Sequence, residues 1–232
     1  MKILGLDFET TGLEFGKDRV IEIGAVVWDT EKSKACALMS ELVTYDGQLS
    51  QEIINITGIE DDMIASYGIN GETAFARLVE LMKGCEYIVA HNAPFDRNFF
   101  ENEVKNYGIS VDVNSFKWID TCIDVEYPES IQTRKLTYLA AEHGIINGNA
   151  HRALFDVMTM LNVLKKYPIQ DVVERSKSPS VQVVAKVSFS EKDKAKKLGF
   201  RWNGDDKIWF KEFKQMDIPH KKFPFEIDVQ NI

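Results

Sequence analysis

Hydrophobic and polar positions follow two different periods along this chain. Within the first 45 residues, three largely apolar runs rich in β-branched residues are typical of strands, and they lie at about 2–9, 20–29 and 35–45. The polar run 29–33 between the last two is typical of a hairpin turn. The chain is therefore predicted to open with an antiparallel meander of three strands.

From residue 72 onward, helical spacing alternates with short apolar strands. Predicted helices lie at 72–85, 93–108, 134–145 and 152–167, and predicted strands lie at 87–91 and 118–120. Glycine or proline follows the helical patterns, as expected at helix ends. Three strands followed by alternating helices and strands predict an α/β fold, a mixed five-stranded sheet flanked by helices.

A polar segment with a proline, SKSPS at 176–180, is typical of a linker. We therefore predict a first domain at 1–172, a linker at 173–180 and a small α+β domain at 181–232. In the last of these, a strand-like run precedes a lysine-rich helix, and a hairpin follows around the sequence Asn-Gly-Asp at 203–205.

The composition is that of a globular protein. Of 232 residues, 44% are hydrophobic and 11% are aromatic, which predicts a well-filled core. No apolar run reaches the length of a membrane span, and an acidic residue close to the N-terminus does not fit a secretory signal. Three widely spaced cysteines without a CxxC argue against a zinc site and favour a reducing compartment. We therefore expect a cytoplasmic protein of bacterial or phage type with no membrane partner.

The charge is unevenly distributed. A net charge of −8 argues at first against a polyanionic partner. Residues 1–180, however, hold 17 basic and 28 acidic residues, a net −11, whereas residues 181–232 hold 11 basic and 8 acidic residues, a net +3. The second predicted domain is therefore mildly basic, although the chain as a whole is acidic.

Two acids stand at the end of the first predicted strand, in LGLDFETTG. Asp7 and Glu9 are two positions apart and share one face of that strand. Burying a carboxylate costs several kcal/mol unless it is paired. Two converging carboxylates suit a hard divalent cation, although exposed acids at a strand end are also common without one.

Two later segments, HNAPFD at 91–96 and HRALFD at 151–156, each place a His five residues before an Asp. Asp96 falls in the first turn of a predicted helix, where the helix dipole alone also favours an acid. Five helical positions span about 500°, so His151 and Asp156 converge only if His151 lies on the loop before the helix. The loop residues before His151 support this arrangement, which suits a proton carrier. A partly exposed His without a catalytic role is the simpler alternative.

In order along residues 1–168, the segments DFETTG, VIEIGAV, INITGI, HNAPFD and HRALFD resemble the DEDDh 3′–5′ exonucleases of the ribonuclease H-like superfamily. The pattern His-x-x-x-x-Asp in the last segment marks the DEDDh branch rather than the branch with a tyrosine there. The chain is most similar to the proofreading (epsilon) subunits of bacterial replicative polymerases and to epsilon-like exonuclease domains.

The resemblance implies a metal site and a general base. The implied ligands of two divalent cations, Mg²⁺ or Mn²⁺, are four acids: Asp7, Glu9, Asp96 and Asp156. His151 is the implied general base. The implied substrate contacts are Glu9, Thr10, Thr11, Gly12, Leu13, Thr57 and Asn92.

Some of these contacts have more specific implied roles. The backbone around Thr11 and Gly12 would hold the terminal nucleotide, and Leu13 would wedge against its base. Thr57 stands where many relatives carry a His, so this contact departs from the family pattern. Asn92 is equally well explained as a turn residue.

The implied activity is metal-dependent hydrolysis of the terminal phosphodiester of single-stranded DNA, releasing nucleoside 5′-monophosphates from the 3′ end. The implied mechanism is two-metal catalysis with a His base. An exoribonuclease or oligoribonuclease is an alternative, because the same carboxylates serve both sugars. So is a polymerase-associated or docking module in which catalysis is secondary. The expected partners are the 3′ end of a nucleic acid and a DNA polymerase or another replication or repair protein.

The segment at 186–211, KVSFSEKDKAKKLGFRWNGDDKIWFK, resembles a short domain of unknown function in some plasmid primases and phage-type DNA proteins. Lysines on an exposed helix are usually a solvated face, and the two tryptophans suit the core of a very small domain. A nucleic-acid-binding role is the alternative. In that role Arg201, Lys207 and Lys211 meet phosphates while an exposed tryptophan stacks on a base.

Overall fold

The computed structural model describes residues 1–231 and divides the chain into two compact units. The first unit is Met1–Val172, and the second begins at Val173. Within the described residues, no helix combines the length and apolarity that a membrane crossing requires.

A mixed five-stranded sheet forms the centre of the first unit. Its strands are β1 (Lys2–Thr10), β2 (Val20–Asp29), β3 (Lys34–Leu42), β4 (Tyr87–Ala90) and β5 (Trp118–Asp120), in the order β3-β2-β1-β4-β5. The first three strands are antiparallel, whereas β4 and β5 run parallel to β1. Short connections allow antiparallel pairing, while helical crossovers lead to parallel strands. The predicted α/β fold class is confirmed.

Seven helices accompany the strands within the described residues 1–177. They are α1 (Gln51–Thr57), α2 (Asp61–Tyr67), α3 (Gly71–Lys83), α4 (Ala93–Asn106), α5 (Leu136–Glu142), α6 (Ala153–Leu164) and α7 (Ile169–Lys177). The sequence pattern did not predict α1, α2 or α7, each of which is seven to nine residues long. The segment 173–180 also differs from the predicted linker. It continues α7 to Lys177, and a strand begins at Ser180.

The two faces of β1 pack against different helices. One face buries Leu4, Leu6 and Phe8 in a core shared with α3 and α4. On the other face, Gly5 and Gly24 allow α6 to approach the sheet closely. A Cβ on Gly5 would lie 2.7 Å from Val157 Cγ1, and one on Gly24 would lie 2.3 Å from the carbonyl carbon of Ala153. Because Gly24 pairs with Asp7, the start of α6 lies beside the acidic end of β1.

After the end of α7, the second unit contains a small antiparallel sheet and a short helix. Its elements are β6 (Ser180–Lys186), α8 (Lys192–Lys197), β7 (Arg201–Asn203), β8 (Ile208–Lys214) and β9 (Glu226–Asn231), with strand order β7-β8-β6-β9. Val181, Val183 and Ala185 form its core with Ala195 and Phe200. The predicted small α+β fold is confirmed, while β9 was not predicted from the sequence.

Candidate active site

Asp7 and Glu9 lie on the face of β1 that packs against α6. Strand alternation places both side chains on the same side as Gly5. Regular pairing with β2 shifts between Glu9 and Thr10, so the strand leaves the sheet pattern directly after the two acids. The two carboxylates therefore lie at the end of a central strand, half-buried next to a helix start.

Three acids meet at this point. Carboxylate oxygens of Asp7, Glu9 and Asp156 all lie within 4.8 Å of one another. Asp7 and Glu9 come from β1, whereas Asp156 is the fourth residue of α6. Oxygen donors at this separation, held on two rigid elements, match the ligand preference of Mg²⁺ and Mn²⁺. The residues present fit a divalent cation site.

Asp96, the fourth predicted ligand, borders this cluster without belonging to it. Its carboxylate is 2% exposed, and Oδ1 accepts a hydrogen bond from the Phe8 backbone N–H at 3.2 Å. Its negative charge is, after burial, the next largest cause that raises the pKa of Asp7. The start of α4 therefore places a buried acid next to Phe8, the residue between Asp7 and Glu9 in β1.

Burial and mutual repulsion disfavour the charged forms of these acids. Burial raises the pKa of Asp7 well above its usual value, and the nearby charges of Asp96 and Glu9 raise it further. Burial, with the charges of Asp156 and Glu22, raises the pKa of Glu9 to about 8. The pKa of Asp156 is raised by burial as well. Without positive charge nearby, the charged forms of these carboxyls are disfavoured, and a bound cation competes with protons for them.

His151 lies in the turn immediately before α6, as its spacing from Asp156 requires. It is exposed and has a positive φ of 64°. Its backbone N–H donates to Asp156 Oδ2 at 2.9 Å, and Asn147 Nδ2 donates to Asp156 Oδ1 at 2.6 Å. The loop that carries His151 is therefore hydrogen-bonded directly to an acid of the cluster.

A buried ion pair that the sequence analysis missed connects β2 to the same turn. Glu22 is 1% exposed and lies opposite Glu9 in the sheet. Arg152 donates to Glu22 Oε1 through Nη2 at 2.7 Å and through Nε at 3.0 Å, and the Ala153 N–H donates to Oε2 at 2.9 Å. Glu22 thus holds the first residues of α6 against the sheet. The available signal was an acid within an otherwise apolar strand.

The predicted substrate residues Thr10 to Leu13 form a tight turn after β1. The Thr10 hydroxyl donates to the Gly12 carbonyl, and the Thr11 hydroxyl accepts from the Arg19 N–H at 3.0 Å. Leu13 follows this turn and is 80% exposed. An apolar side chain is thus presented to solvent from a turn that hydrogen bonds hold in place.

Thr57 is buried, and its hydroxyl is used within the fold. It is 4% exposed at the end of α1, where its hydroxyl donates to the Ile53 carbonyl at 2.9 Å and accepts from the Ile59 N–H at 3.0 Å. Its hydroxyl stabilises the end of the helix, and a contact between Thr57 and substrate stays a prediction.

Asn92 is exposed and lies immediately before α4, with its backbone in the left-handed region at a φ of 79°. Its backbone N–H donates to Asp120 Oδ1 at 3.0 Å. This geometry fits a turn residue, and a contact between its side chain and substrate stays a prediction.

Comparison with protein families identifies both parts of the chain. A family model described as exonuclease matches residues 4–164, more than half of the chain. The chain therefore belongs to this exonuclease family, as its motifs predicted. A model for a domain of unknown function matches residues 181–230.

Two relatives from Staphylococcus saprophyticus show how the match is distributed. The 3′–5′ exonuclease DinG is 31% identical over 161 residues, which cover 68% of this chain and 17% of DinG. A PolC-type DNA polymerase III is 33% identical over 159 residues, which cover 65% of this chain and 10% of the polymerase. This chain thus spans less than a fifth of the length of either relative.

Solved structures share the fold. Escherichia coli exonuclease I in complex with a dT13 oligonucleotide matches with a TM-score of 0.64 and 18% identity, over 79% of this chain and 48% of that one. The nuclease domain of 3′hExo, a DEDDh family member bound to rAMP, matches with a TM-score of 0.60 and 20% identity, over 73% and 92% of the two chains. The predicted ribonuclease H-like fold is confirmed.

Proposed function

We propose that this chain is a 3′–5′ exonuclease that hydrolyses the terminal phosphodiester of single-stranded DNA and releases nucleoside 5′-monophosphates. The observation that carries the proposal is the meeting of Asp7, Glu9 and Asp156 within 4.8 Å, in a chain that belongs to an exonuclease family. A cluster of acids whose pKa values are raised by burial is characteristic of functional sites.

The acids would hold two divalent cations, Mg²⁺ or Mn²⁺. Asp7, Glu9 and Asp156 offer converging oxygen ligands, and Asp96 lies beside them. When bound, two such cations supply Lewis-acid chemistry, lowering the pKa of water and neutralising charge on the phosphate. They would also relieve the repulsion among the acids, which explains how an acidic protein accepts a polyanion.

His151 would accept the proton of the attacking water. It is exposed in the turn before α6. Its backbone N–H donates a hydrogen bond to Asp156, so the residue that carries the imidazole directly contacts an acid of the cluster. A general base of this type contributes about 10²–10⁴-fold to the rate. The ion pair of Arg152 with Glu22 would keep this turn in place while the loop before it remains exposed.

The turn after β1 would position the terminal nucleotide. Thr10, Thr11 and Gly12 directly follow Glu9 of the acid cluster in the chain and would hold this nucleotide together with Glu9, while exposed Leu13 would wedge against the terminal base. Asn92 would contribute from the start of α4.

The similar proteins favour DNA as the substrate. One relative is a 3′–5′ exonuclease, another is a DNA polymerase, and exonuclease I was solved with a DNA oligonucleotide. The polymerase relative also supports association with a polymerase or another replication or repair protein. RNA is the second candidate, because the 3′hExo nuclease domain was solved with rAMP.

The test is digestion of 5′-labelled DNA and RNA strands of one sequence, single and double, in Mg²⁺, Mn²⁺ or EDTA. We expect single-stranded DNA to shorten from its 3′ end in either metal and to stay intact in EDTA. Asp7→Ala should abolish shortening, because it removes an oxygen ligand from the cluster.

Each alternative has its own outcome in this experiment. Faster digestion of RNA would overturn the choice of DNA, and full activity of Asp7→Ala would overturn the site. No degradation by the isolated chain would favour a docking module.

A further inference from the structure

The second unit carries exposed aromatic rings and lysines along one side of α8. Lys192 and Lys196 are four residues apart and therefore lie on the same side of this helix. Lys192 Nζ is 3.8 Å from the ring centroid of Phe189, and Lys196 Nζ is 5.6 Å from that of Trp209. Together with Trp202, these residues are called the α8 stripe.

Two rings of the α8 stripe face solvent. Phe189 is 83% exposed and Trp202 is 51% exposed. Trp202 packs against Trp209, with ring centroids 5.5 Å apart, and Trp209 in turn borders the core of the unit. One side of Trp202 is thus supported by the domain while about half of its surface remains open. Large rings left exposed in a domain this small point to a binding surface rather than to the core.

The positive charges of the α8 stripe indicate a ligand that carries negative charge. The residues 181–232 carry a net +3 in a chain of net −8. Lys192 lies over Phe189, and Lys196 lies over Trp209, the ring against which Trp202 packs. Lys196 Nζ forms a long, exposed ion pair with Asp193 at 4.0 Å, beyond hydrogen-bond distance, which a phosphate can replace. Open aromatic faces supply sequence-tolerant stacking, and neighbouring cations attract the phosphate backbone.

We infer that the α8 stripe binds single-stranded nucleic acid, with bases stacked on Phe189 and Trp202 and phosphates held by Lys192 and Lys196. This second site goes beyond the proposed exonuclease centre, because it lies in the other unit and needs no metal. It also gives a ligand to a domain of unknown function.

The phosphate contacts inferred for the α8 stripe involve other cations than those that the sequence suggested. Lys211 Nζ donates to the Leu198 carbonyl at 2.8 Å. Arg201 pairs with Phe210 in the sheet, so its side chain lies on the opposite face from that of Trp202. Lys207 lies in the turn between β7 and β8 and is not part of the α8 stripe.

The first test measures stacking. The full chain is titrated against a fluorescently labelled deoxythymidine oligonucleotide of about 30 nucleotides in EDTA, a length that exceeds single-domain site sizes. Phe189→Ala and Trp202→Ala should each weaken binding by about fivefold to a hundredfold, whereas Trp202→Phe should retain most of the affinity. Unchanged affinity in both alanine variants would overturn the inference.

The second test separates the α8 stripe from general charge. The double variant K192A/K196A removes two lysines from the stripe, and K194A/K197A removes two from the other side of the same helix. Removing two phosphate contacts should reduce the steepness of log affinity against log salt by about 1.4 for the first pair, and by less for the second. Equal effects of the two pairs would contradict a defined site.

The two proposals fail separately. Cleavage of a dinucleotide in Mg²⁺ reports on the first unit alone, and the α8 stripe variants should retain it. Conversely, Asp7→Ala should retain its affinity for the long oligonucleotide in EDTA, because the α8 stripe contains no metal ligand. Retained nuclease activity with unchanged binding would make the second unit a protein-docking module, which overturns the inference and leaves the exonuclease proposal standing.

Discussion

HNAPFD and HRALFD have the same spacing of His and Asp, yet their histidines lie in different surroundings. In both segments the Asp is the fourth residue of a helix, Asp96 in α4 and Asp156 in α6. In both, the His lies two residues before the helix starts. The spacing therefore places the two acids in equivalent ways, and the difference lies in the chain that precedes each histidine.

His91 follows the buried strand β4, so its ring is enclosed. Its Nε2 donates to the Arg134 carbonyl at 2.5 Å, and Nδ1 lies 2.8 Å from the Thr121 hydroxyl. Burial lowers the pKa of His91. His151 instead follows an exposed loop. The same pattern thus gives one histidine that holds neighbouring loops and one that is open to solvent, and the preceding element decides which.

The largest expected effect comes from the acids. Asp156→Asn should reduce hydrolysis of single-stranded DNA to the background rate, because it removes a charged ligand from a cluster of three. Asp96→Asn should also be inactive, yet its amide oxygen can still accept from the Phe8 N–H. Its fold should therefore remain intact.

Initial rates in Mg²⁺ and circular dichroism check both acid variants. Full activity of Asp156→Asn would contradict its role as a ligand, since an amide carries no negative charge. Activity in Asp96→Asn would restrict the metal site to the three clustered acids.

Replacing each histidine by alanine should affect a different quantity, the rate of catalysis for one and the stability of the fold for the other. His151→Ala should lower kcat by about 10²–10⁴-fold with an unchanged free energy of unfolding. His91→Ala should lower the free energy of unfolding by about 2–4 kcal/mol, because it removes a buried ring and its hydrogen bonds. Urea titrations and single-turnover rates measure the two quantities. A large loss of stability in His151→Ala, or none in His91→Ala, would reverse the comparison.

Sequence patterns predicted the parts of this site that lie on long, regular elements. Strand alternation placed Asp7 and Glu9 on one face, and the helix start placed Asp156, because both depend only on local geometry. Contacts between residues far apart in the chain could not be predicted from local patterns. The pairing of Glu22 with Arg152 spans 130 residues, and the burial of Thr57 depends on how the end of α1 packs. Neither leaves a periodic signal in the sequence.

The close approach of α6 to Gly24 of β2 holds Asp156 in place. Gly24→Ala would place a Cβ 2.3 Å from the Ala153 carbonyl carbon, so the start of α6 has to move away from β1. We expect a loss of about 1–3 kcal/mol in the free energy of unfolding. Activity should fall as well, since Asp156 moves with the helix. Gly148→Ala is the matched control, because nothing lies within 4 Å of its added Cβ. Similar behaviour of the two variants would argue that α6 adjusts without displacing Asp156.

Stabilisation of the fold by metal should depend on pH. The pKa of Glu9 is raised from 4.5 to about 8, so the folded chain retains a proton that the unfolded chain loses. The contribution of this group to stability is therefore lost as the pH rises through that range. A cation that replaces the proton should restore it. Mg²⁺ at about 100 times its Kd should add about 2.7 kcal/mol.

Thermal unfolding with and without Mg²⁺ measures this effect, and the shift in Tm should be larger at about pH 8.5 than at about pH 6. His91→Ala should keep the shift, because its ring lies outside the cluster of three acids. Asp156→Asn should lose most of it, because the variant lacks one ligand. An equal shift at both pH values would mean that the cation does not compete with protons for these carboxylates, and the metal site would then have to lie elsewhere.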